Sequence, residues 1–363
     1  MTTEIAIVGG SLAGLAAATV LIRLGIIVTV FEKYNGSFEN RGSSLGYVNI
    51  PLWEHLSGHQ MIRRGTQMHR YQGAFYYGDL WRFWYSGLPE GTVKFGYTVT
   101  DLGEDPERPT IDGKTYDAVI LADGGWSSLR SKYITKKQPE YSGHVIYRCK
   151  VSKKDFPDFV SEAAYPVGKF FSIALEVALD NGVDHIMGGV LVPTPENEVS
   201  RPTDVLNRQI DWTAVNNIPP WFLPHVRRTF GKHKQLVQWI EMAVNGPGRV
   251  SMNPLFEFGA DVVTNKRIIL IGDAAHMASP STAAGAHTGV LDAAGLLEAF
   301  AKFPRKEHVD QAIAQYSPGG LKRAADLYNR SKDVTRAYAY VPGDEQLYNP
   351  DGLKNERPKE KTS

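Results

Sequence analysis

The hydrophobic positions of this chain fall into two kinds of run. Near the start, Ile5–Val8 is unbroken apolar, Leu12–Leu24 is a small-residue helical run, and Ile26–Phe31 is a second β-branched run ending at Glu32. A strand buried on both faces needs apolar side chains without alternation, so this stretch reads as the βαβ unit of a parallel sheet. The same kind of run recurs at Ala118–Leu121, which ends on Asp123-Gly124-Gly125, and at Ile268–Ile271, which ends on Gly272-Asp273. From Gly285 a long helix rich in Ala and Leu is expected. The second kind of run lies between these. From Tyr141 to about Glu257 polar and apolar residues alternate (Phe170–Val177, His185–Val192) among prolines at 193, 195, 202, 219, 220 and 224, the pattern of a mainly antiparallel sheet. Leu52–Arg63 and Gly78–Trp84 have helical spacing. Val93–Tyr116 reads as a short antiparallel piece with turns at Gly103 and Asp112-Gly113. The fold class is therefore α/β. A Rossmann-like parallel-sheet domain is made from residues 1–140 and 258–335, a mainly antiparallel substrate domain spans 141–257, and 336–363 form a C-terminal extension.

Each parallel-type strand ends in residues suited to chemistry. In the dinucleotide fingerprint one glycine makes the turn, a second admits a pyrophosphate and a third lets helix pack on strand; Gly9, Ser11 and Gly14 take these places. Serine stands where the middle glycine is expected. It is small, and its hydroxyl can face a phosphate at a helix N-terminus. Glu32, 18 residues beyond Gly14, is placed to hold a ribose. The alternative is an ordinary βαβ unit with a close helix–strand contact. Asp123-Gly124 and Gly272-Asp273 put carboxylates at strand carboxyl ends, where open parallel sheets bind ligands, although Asp-Gly is also a common turn pair. Ser127–Arg130 resembles a helix start, with Arg130 able to point back toward a phosphate or ring. The loop Asn35–Ser44, carrying Arg41 and Gly42, has the composition of a functional loop. After Ser279-Pro280, the helix N-terminus at Gly285, Ala286 and His287 presents backbone N–H groups to any developing negative charge. His287 is either a group that tunes a ligand there or a solvated helix-end histidine, while His276 reads as structural. Trp212, Trp221, Trp239, Phe170, Phe171 and Phe222 fit a core better than a substrate wall.

Composition narrows the partners. With 40 basic and 39 acidic residues among 363 and a formal charge of +1, nothing draws the chain to nucleic acid or an anionic membrane, which leaves a small molecule. The single cysteine, Cys149, excludes an intrachain disulfide, a CxxC redox pair and a cysteine-based zinc site. A reducing compartment, the cytoplasm, is expected, with neither a secretion signal nor a membrane span indicated.

In order, GGSLAG, ADGGWSSLR and IGDAAHMASPSTAAGAHTG resemble the three motifs of the FAD-dependent aromatic hydroxylases, the p-hydroxybenzoate hydroxylase-like flavoprotein monooxygenases. Within them the resemblance is to the 2,6-dihydroxypyridine 3-hydroxylase type, in which the serine, the doubled glycine after the aspartate and Pro280-Ser281-Thr282-Ala283-Ala284-Gly285 recur. The resemblance implies FAD, with NADPH or NADH as reductant, O2 and a small aromatic substrate, and it leaves a homodimer open. It implies hydroxylation through a flavin C4a-hydroperoxide, with reduction gated by substrate. By position, Gly9, Ser11 and Gly14 would line the pyrophosphate, and Glu32 with Lys33 would hold the adenosine ribose. Arg41-Gly42 would lie beside the flavin, and Asp123-Gly124 near the pyrophosphate and the nicotinamide donor. Gly272-Asp273 would hold the ribityl or pyrophosphate portion. Gly285, Ala286 and His287 would face the N1–O2 edge of the ring, and Pro280 its reactive side. Pro280 and His287 are the catalytic candidates, and no metal is expected. Two departures stand out: the family's arginine in the helix before the middle sheet has no clear match around Gly78–Trp84, and the segment between Tyr47 and Asp79 is short. The competing reading is a non-catalytic FAD-fold carrier or redox sensor.

Overall fold

A computed structural model describes residues 2–36, 44–45, 48–61, 75–160, 163–177, 184–199, 218–246 and 248–337. The first part of the chain runs β1 (Glu4–Val8), α1 (Leu12–Arg23), β2 (Ile27–Glu32), β3 (Ser44–Leu45), α2 (Ile50–Ser57), β4 (Phe75–Tyr76), α3 (Tyr77–Tyr85) and β5 (Val93–Phe95). It continues through the hairpin β6 (Thr110–Ile111) and β7 (Lys114–Thr115) to β8 (Ala118–Leu121) and α4 (Ser128–Tyr133). The hairpin turns through Asp112 and Gly113 at φ of 49° and 77°, the left-handed pair that a tight two-residue turn requires. Val93–Phe95, by contrast, is a parallel edge strand and no part of that antiparallel piece.

The middle of the chain supplies β9 (Glu140–Ser152), β10 (Ala163–Val167), β11 (Phe170–Val177), β12 (His185–Pro193), α5 (Phe222–Phe230), α6 (Lys234–Asn245) and β13 (Arg249–Gly259). Then follow β14 (Thr264–Asn265), β15 (Ile268–Leu270), β16 (His276–Met277), α7 (Gly285–Lys302) and α8 (Val309–Arg336).

Two six-stranded sheets result. The first has the order β14-β15-β8-β1-β2-β5, parallel throughout except for the β14–β15 pair. Its strands β1, β8 and β15 are almost wholly buried, which is why their sequences run apolar without alternation. The second sheet, β10-β11-β12-β9-β13-β16, is antiparallel. One of its faces packs on α5 and α6 through Val145, Tyr147, Trp221, Phe222 and Trp239, a core in which Trp239 and Phe222 are fully buried. Phe170 joins that core, whereas Phe171 lies on the opposite face with Ile146, Leu191 and Leu255. Trp212 lies outside the described residues, as do 338–363 of the C-terminal extension. Among the described residues no helix is long and apolar enough to cross a membrane.

Candidate active site

The three sequence motifs meet at the carboxyl ends of β1, β8 and β15. Gly9 has φ +108°, and a Cβ there would lie 2.3 Å from the Ala122 carbonyl oxygen and 2.9 Å from the Asp123 nitrogen, so the first turn presses directly on the second motif. A Cβ on Gly14 would sit 2.0 Å from the Gly9 carbonyl oxygen, which is the helix-on-turn contact the third glycine permits. The third motif closes the group: a Cβ on Gly272 would come 2.8 Å from the Ala13 Cβ, and one on Gly289 3.0 Å from the same atom. Helix α1 is thus seated, through Ala13, against Gly272 of the turn after β15 and Gly289 of α7.

Ser11 is the N-cap of α1, but its side chain does not cap the helix; its hydroxyl is 2.7 Å from Tyr77 OH. Trp81 Nε1–H donates to the Gly10 carbonyl at 2.7 Å. Helix α3 therefore clamps the first turn from outside. Glu32, 5% exposed, accepts from Gly10 N–H at 2.7 Å and from Tyr34 N–H at 2.9 Å, so the acid at the end of β2 touches the glycine turn itself. The Lys33 ammonium lies over the Tyr34 ring, 5.1 Å from its centroid. Arg41 and Gly42 lie outside the described residues.

Asp123 is half-buried, and Gly124 follows at φ +90°. Arg130 corrects the expectation that it points toward a ligand. It is 1% exposed, donating to the Ala274 carbonyl at 3.0 Å and to the Gly125 carbonyl at 2.8 Å while lying over the Phe258 ring. The guanidinium staples the second motif to the third, a role invisible without the tertiary contact.

Asp273 is exposed on the short turn Gly272–Ala274. Beneath that turn lies a buried network absent from the motif reading. Asp292 of α7 accepts from Gly272 N–H at 2.9 Å, pairs with His276 Nε2 at 2.7 Å and accepts from Arg323 Nε of α8 at 2.7 Å. Burial opposes charge on both His276 and Asp292, but their mutual attraction, joined by Arg323 at Asp292 and by Asp273 at His276, prevails: the His276 pKa is held above the usual value and the Asp292 pKa below it. The sequence signal was available, since Asp292 is an acid on the buried stripe Gly289, Ala293, Leu296, Phe300 of an apolar helix. His276 is structural, as its reading proposed.

Pro280 is exposed on a 3-10 turn capped by the Ser279 hydroxyl, and Ala283 follows at φ +51°. This loop is braced from behind: Ser279 N–H donates to Ser331 Oγ at 2.8 Å, Ser331 in turn bonds the buried Glu257, and Arg330 donates to the Thr282 carbonyl at 3.1 Å. At Gly285, Ala286 and His287 no side chain caps α7, and a Cβ on Gly285 would meet nothing within 4 Å. Open space thus stands before an uncapped helix N-terminus. His287 is half-buried, and burial pushes its pKa below the usual value, so its ring is neutral at neutral pH. Among the described residues no cluster of His, Cys, Asp or Glu could hold a metal ion.

An FAD fits these residues. A turn with no room for a Cβ at Gly9 lies beside an α1 N-terminus with no side-chain cap, and open space faces the N-terminus of α7. A family model for an FAD binding domain matches residues 2–110 and 224–331. The chain belongs to this family and is a flavin-dependent monooxygenase of the aromatic hydroxylase type. It is similar to 3-amino-4-hydroxybenzoate 2-monooxygenase of Streptomyces platensis, 25% identical over 94% of this chain and 90% of that protein. It is equally similar to 6-hydroxynicotinate 3-monooxygenase of Bordetella bronchiseptica, 25% identical over 92% of this chain and 91% of that one. Among solved structures, 2,6-dihydroxypyridine-3-hydroxylase from Arthrobacter nicotinovorans shares the fold with a TM-score of 0.72 at 19% identity, over 96% of each chain.

Proposed function

We propose that the chain is a cytoplasmic single-component enzyme that hydroxylates a small electron-rich aromatic, a phenol, hydroxybenzoate or hydroxypyridine, with NAD(P)H as reductant and O2 as oxidant. The observation that carries this reading is the meeting of the three motifs around Gly9, Ala13 and Gly272. In this reading, residues 1–140 and 258–335 hold the FAD and 141–257 cover the substrate.

Gly9, Ser11 and Gly14 line the pyrophosphate with the α1 N-terminus, Glu32 and Lys33 take the adenosine ribose, and Asp273 with Asp123-Gly124 meets the ribityl and pyrophosphate portion. Arg41-Gly42 belongs beside the ring by motif position. The N–H groups of Gly285, Ala286 and His287 favour negative charge on the ring edge that they face. When bound, the reduced flavin supplies activation of O2 and delivery of one oxygen atom to the aromatic ring. The protein binds, orients and excludes water. The neutral imidazole of His287 is the group available to accept a phenolic proton as the substrate ring becomes more electron-rich. Pro280 closes the reactive side without donating a hydrogen bond. The reductant binds in the shared cleft, since the chain carries one dinucleotide fingerprint.

The absorbance spectrum of the purified or FAD-reconstituted protein, followed by NAD(P)H oxidation with a panel of phenols, hydroxybenzoates and hydroxypyridines, tests this. A flavin spectrum with aromatic-stimulated oxidation supports it. A protein that binds no FAD is instead a carrier or sensor built on the same fold.

A further inference from the structure

The N-terminus of α1 is left open in a way its own sequence does not require. Ser11 has the extended backbone of an N-cap residue (φ −85°, ψ −173°), from which a serine hydroxyl ordinarily accepts from the second or third N–H of its helix. Here it makes no such bond. Earlier in the turn the donors are committed: Gly9 N–H donates to the Phe31 carbonyl at 2.8 Å and Gly10 N–H to Glu32 at 2.7 Å. The first bond back along the helix runs from Leu15 N–H to the Ser11 carbonyl at 2.9 Å. The N–H groups of Leu12, Ala13 and Gly14 therefore stand before the helical ladder with no side-chain cap.

Tyr77 holds the serine hydroxyl elsewhere. Ser11 Oγ and Tyr77 OH are 2.7 Å apart, and two hydroxyls at that distance share one proton and leave the other for an outside acceptor. Both residues are half-buried, so the pair is not sealed from a ligand. Tyr77 opens α3 and packs against the main core. One turn further on the same face, Trp81 Nε1–H donates to the Gly10 carbonyl at 2.7 Å, and its ring stacks on Tyr85 at 4.6 Å. The direction of the Ser11 hydroxyl is thus set by α3 and not by α1.

We propose that Tyr77 is a positioning residue for the diphosphate of the cofactor: it holds the Ser11 hydroxyl off its own helix, which keeps the first-turn N–H groups of α1 and one hydroxyl proton available to phosphate oxygens. This rests on the FAD reading for its ligand and adds to it a residue outside the fingerprint. The empty protein forgoes a helix cap; an anion that only accepts hydrogen bonds takes the place of that cap when bound.

Tyr77→Phe keeps the ring and frees Ser11 to turn inward and cap α1. The apo-protein should then melt no lower than wild type and up to about 3 °C higher. FAD, titrated by flavin fluorescence quenching, should bind about 2- to 30-fold more weakly. Riboflavin, which has no diphosphate, should bind both proteins alike. In a Ser11→Gly background, where no hydroxyl can turn inward, Tyr77→Phe should change FAD affinity by less than about 2-fold. Equal losses in both backgrounds would overturn the assignment, because Tyr77 would then act on the dinucleotide directly. So would unchanged FAD affinity in Tyr77→Phe, or riboflavin weakened as much as FAD. If Tyr77→Phe does not fold, hydrogen exchange of the wild type decides: Ala13 and Gly14 N–H should exchange freely in the apo-protein and slow on FAD binding, and protection already present without FAD would contradict the proposal. A wild type that binds no FAD would instead defeat the hydroxylase reading itself, while exchange in the apo-protein still reports on Ser11.

Discussion

Replacing Gly285 with Val separates the site from the fold. A Cβ at Gly285 meets nothing within 4 Å, so the native chain has room for a β-carbon there. Gly285 opens α7, where any gain from removing a glycine is below about 1 kcal/mol. For a chain of this size that shifts Tm by no more than about 2 °C. The valine, however, fills the space before the first-turn N–H groups that the flavin edge is expected to meet. Losing a hydrogen bond to a charged group costs about 1.5–3 kcal/mol, and steric exclusion adds to it, so FAD affinity should fall at least about 10- to 100-fold. The assay pairs thermal unfolding of the apo-protein with FAD titration by flavin fluorescence quenching. Gly9→Ala is the control with the opposite signature: at φ +108° its Cβ would lie 2.3 Å from the Ala122 carbonyl oxygen, so the apo fold itself should lose about 3 kcal/mol or more. Wild-type FAD affinity in Gly285→Val would refute the placement of the flavin at the α7 N-terminus.

Asp292→Ala should destabilise the protein by about 3–5 kcal/mol, because it leaves the buried His276 and the half-buried Arg323 without their acid and removes the acceptor of Gly272 N–H; chemical denaturation measures this, and FAD titration should show weakened binding as well. The pH dependence of the pair has a defined sign. His276 has a folded-state pKa raised above 6.5, so its stabilisation is complete below that value and fades as pH rises through the folded-state value. Asp292, lowered from 3.8, keeps its contribution above that value and loses it in stronger acid. Melting curves recorded upward from pH 6.5 should therefore fall for the wild type and flatten for His276→Gln; parallel curves would remove His276 as the titrating group. Ser331→Ala removes the acceptor of Ser279 N–H and a donor to Glu257, and should cost about 1–3 kcal/mol in denaturant titrations.

Legibility in the sequence followed from how local the physical signal was. The parallel strands were readable because burial on both faces forbids polar residues, and β11 and β12 were readable because burial on one face forces alternation. The glycines at 9, 14 and 272 were readable because each is required by a close approach of backbone or helix. Contacts between distant segments were not. Arg130 looked like a ligand-facing arginine because its partners, the Ala274 carbonyl and the Phe258 ring, lie far along the chain. The bracing of the Pro280 loop by Ser331 and Glu257 depends on how α8 packs across β13, which no local pattern encodes.

The central claim is that the converged motifs deliver one oxygen atom from O2 to an aromatic ring held against the antiparallel sheet. Its most direct test is the mass of the product formed under ¹⁸O₂ by the FAD-loaded protein with NAD(P)H and its best aromatic substrate. The account predicts a hydroxylated ring that carries the heavy isotope, formed in proportion to the nicotinamide oxidised. A product whose new oxygen comes from water, or nicotinamide oxidation that yields only hydrogen peroxide with every aromatic, would contradict it.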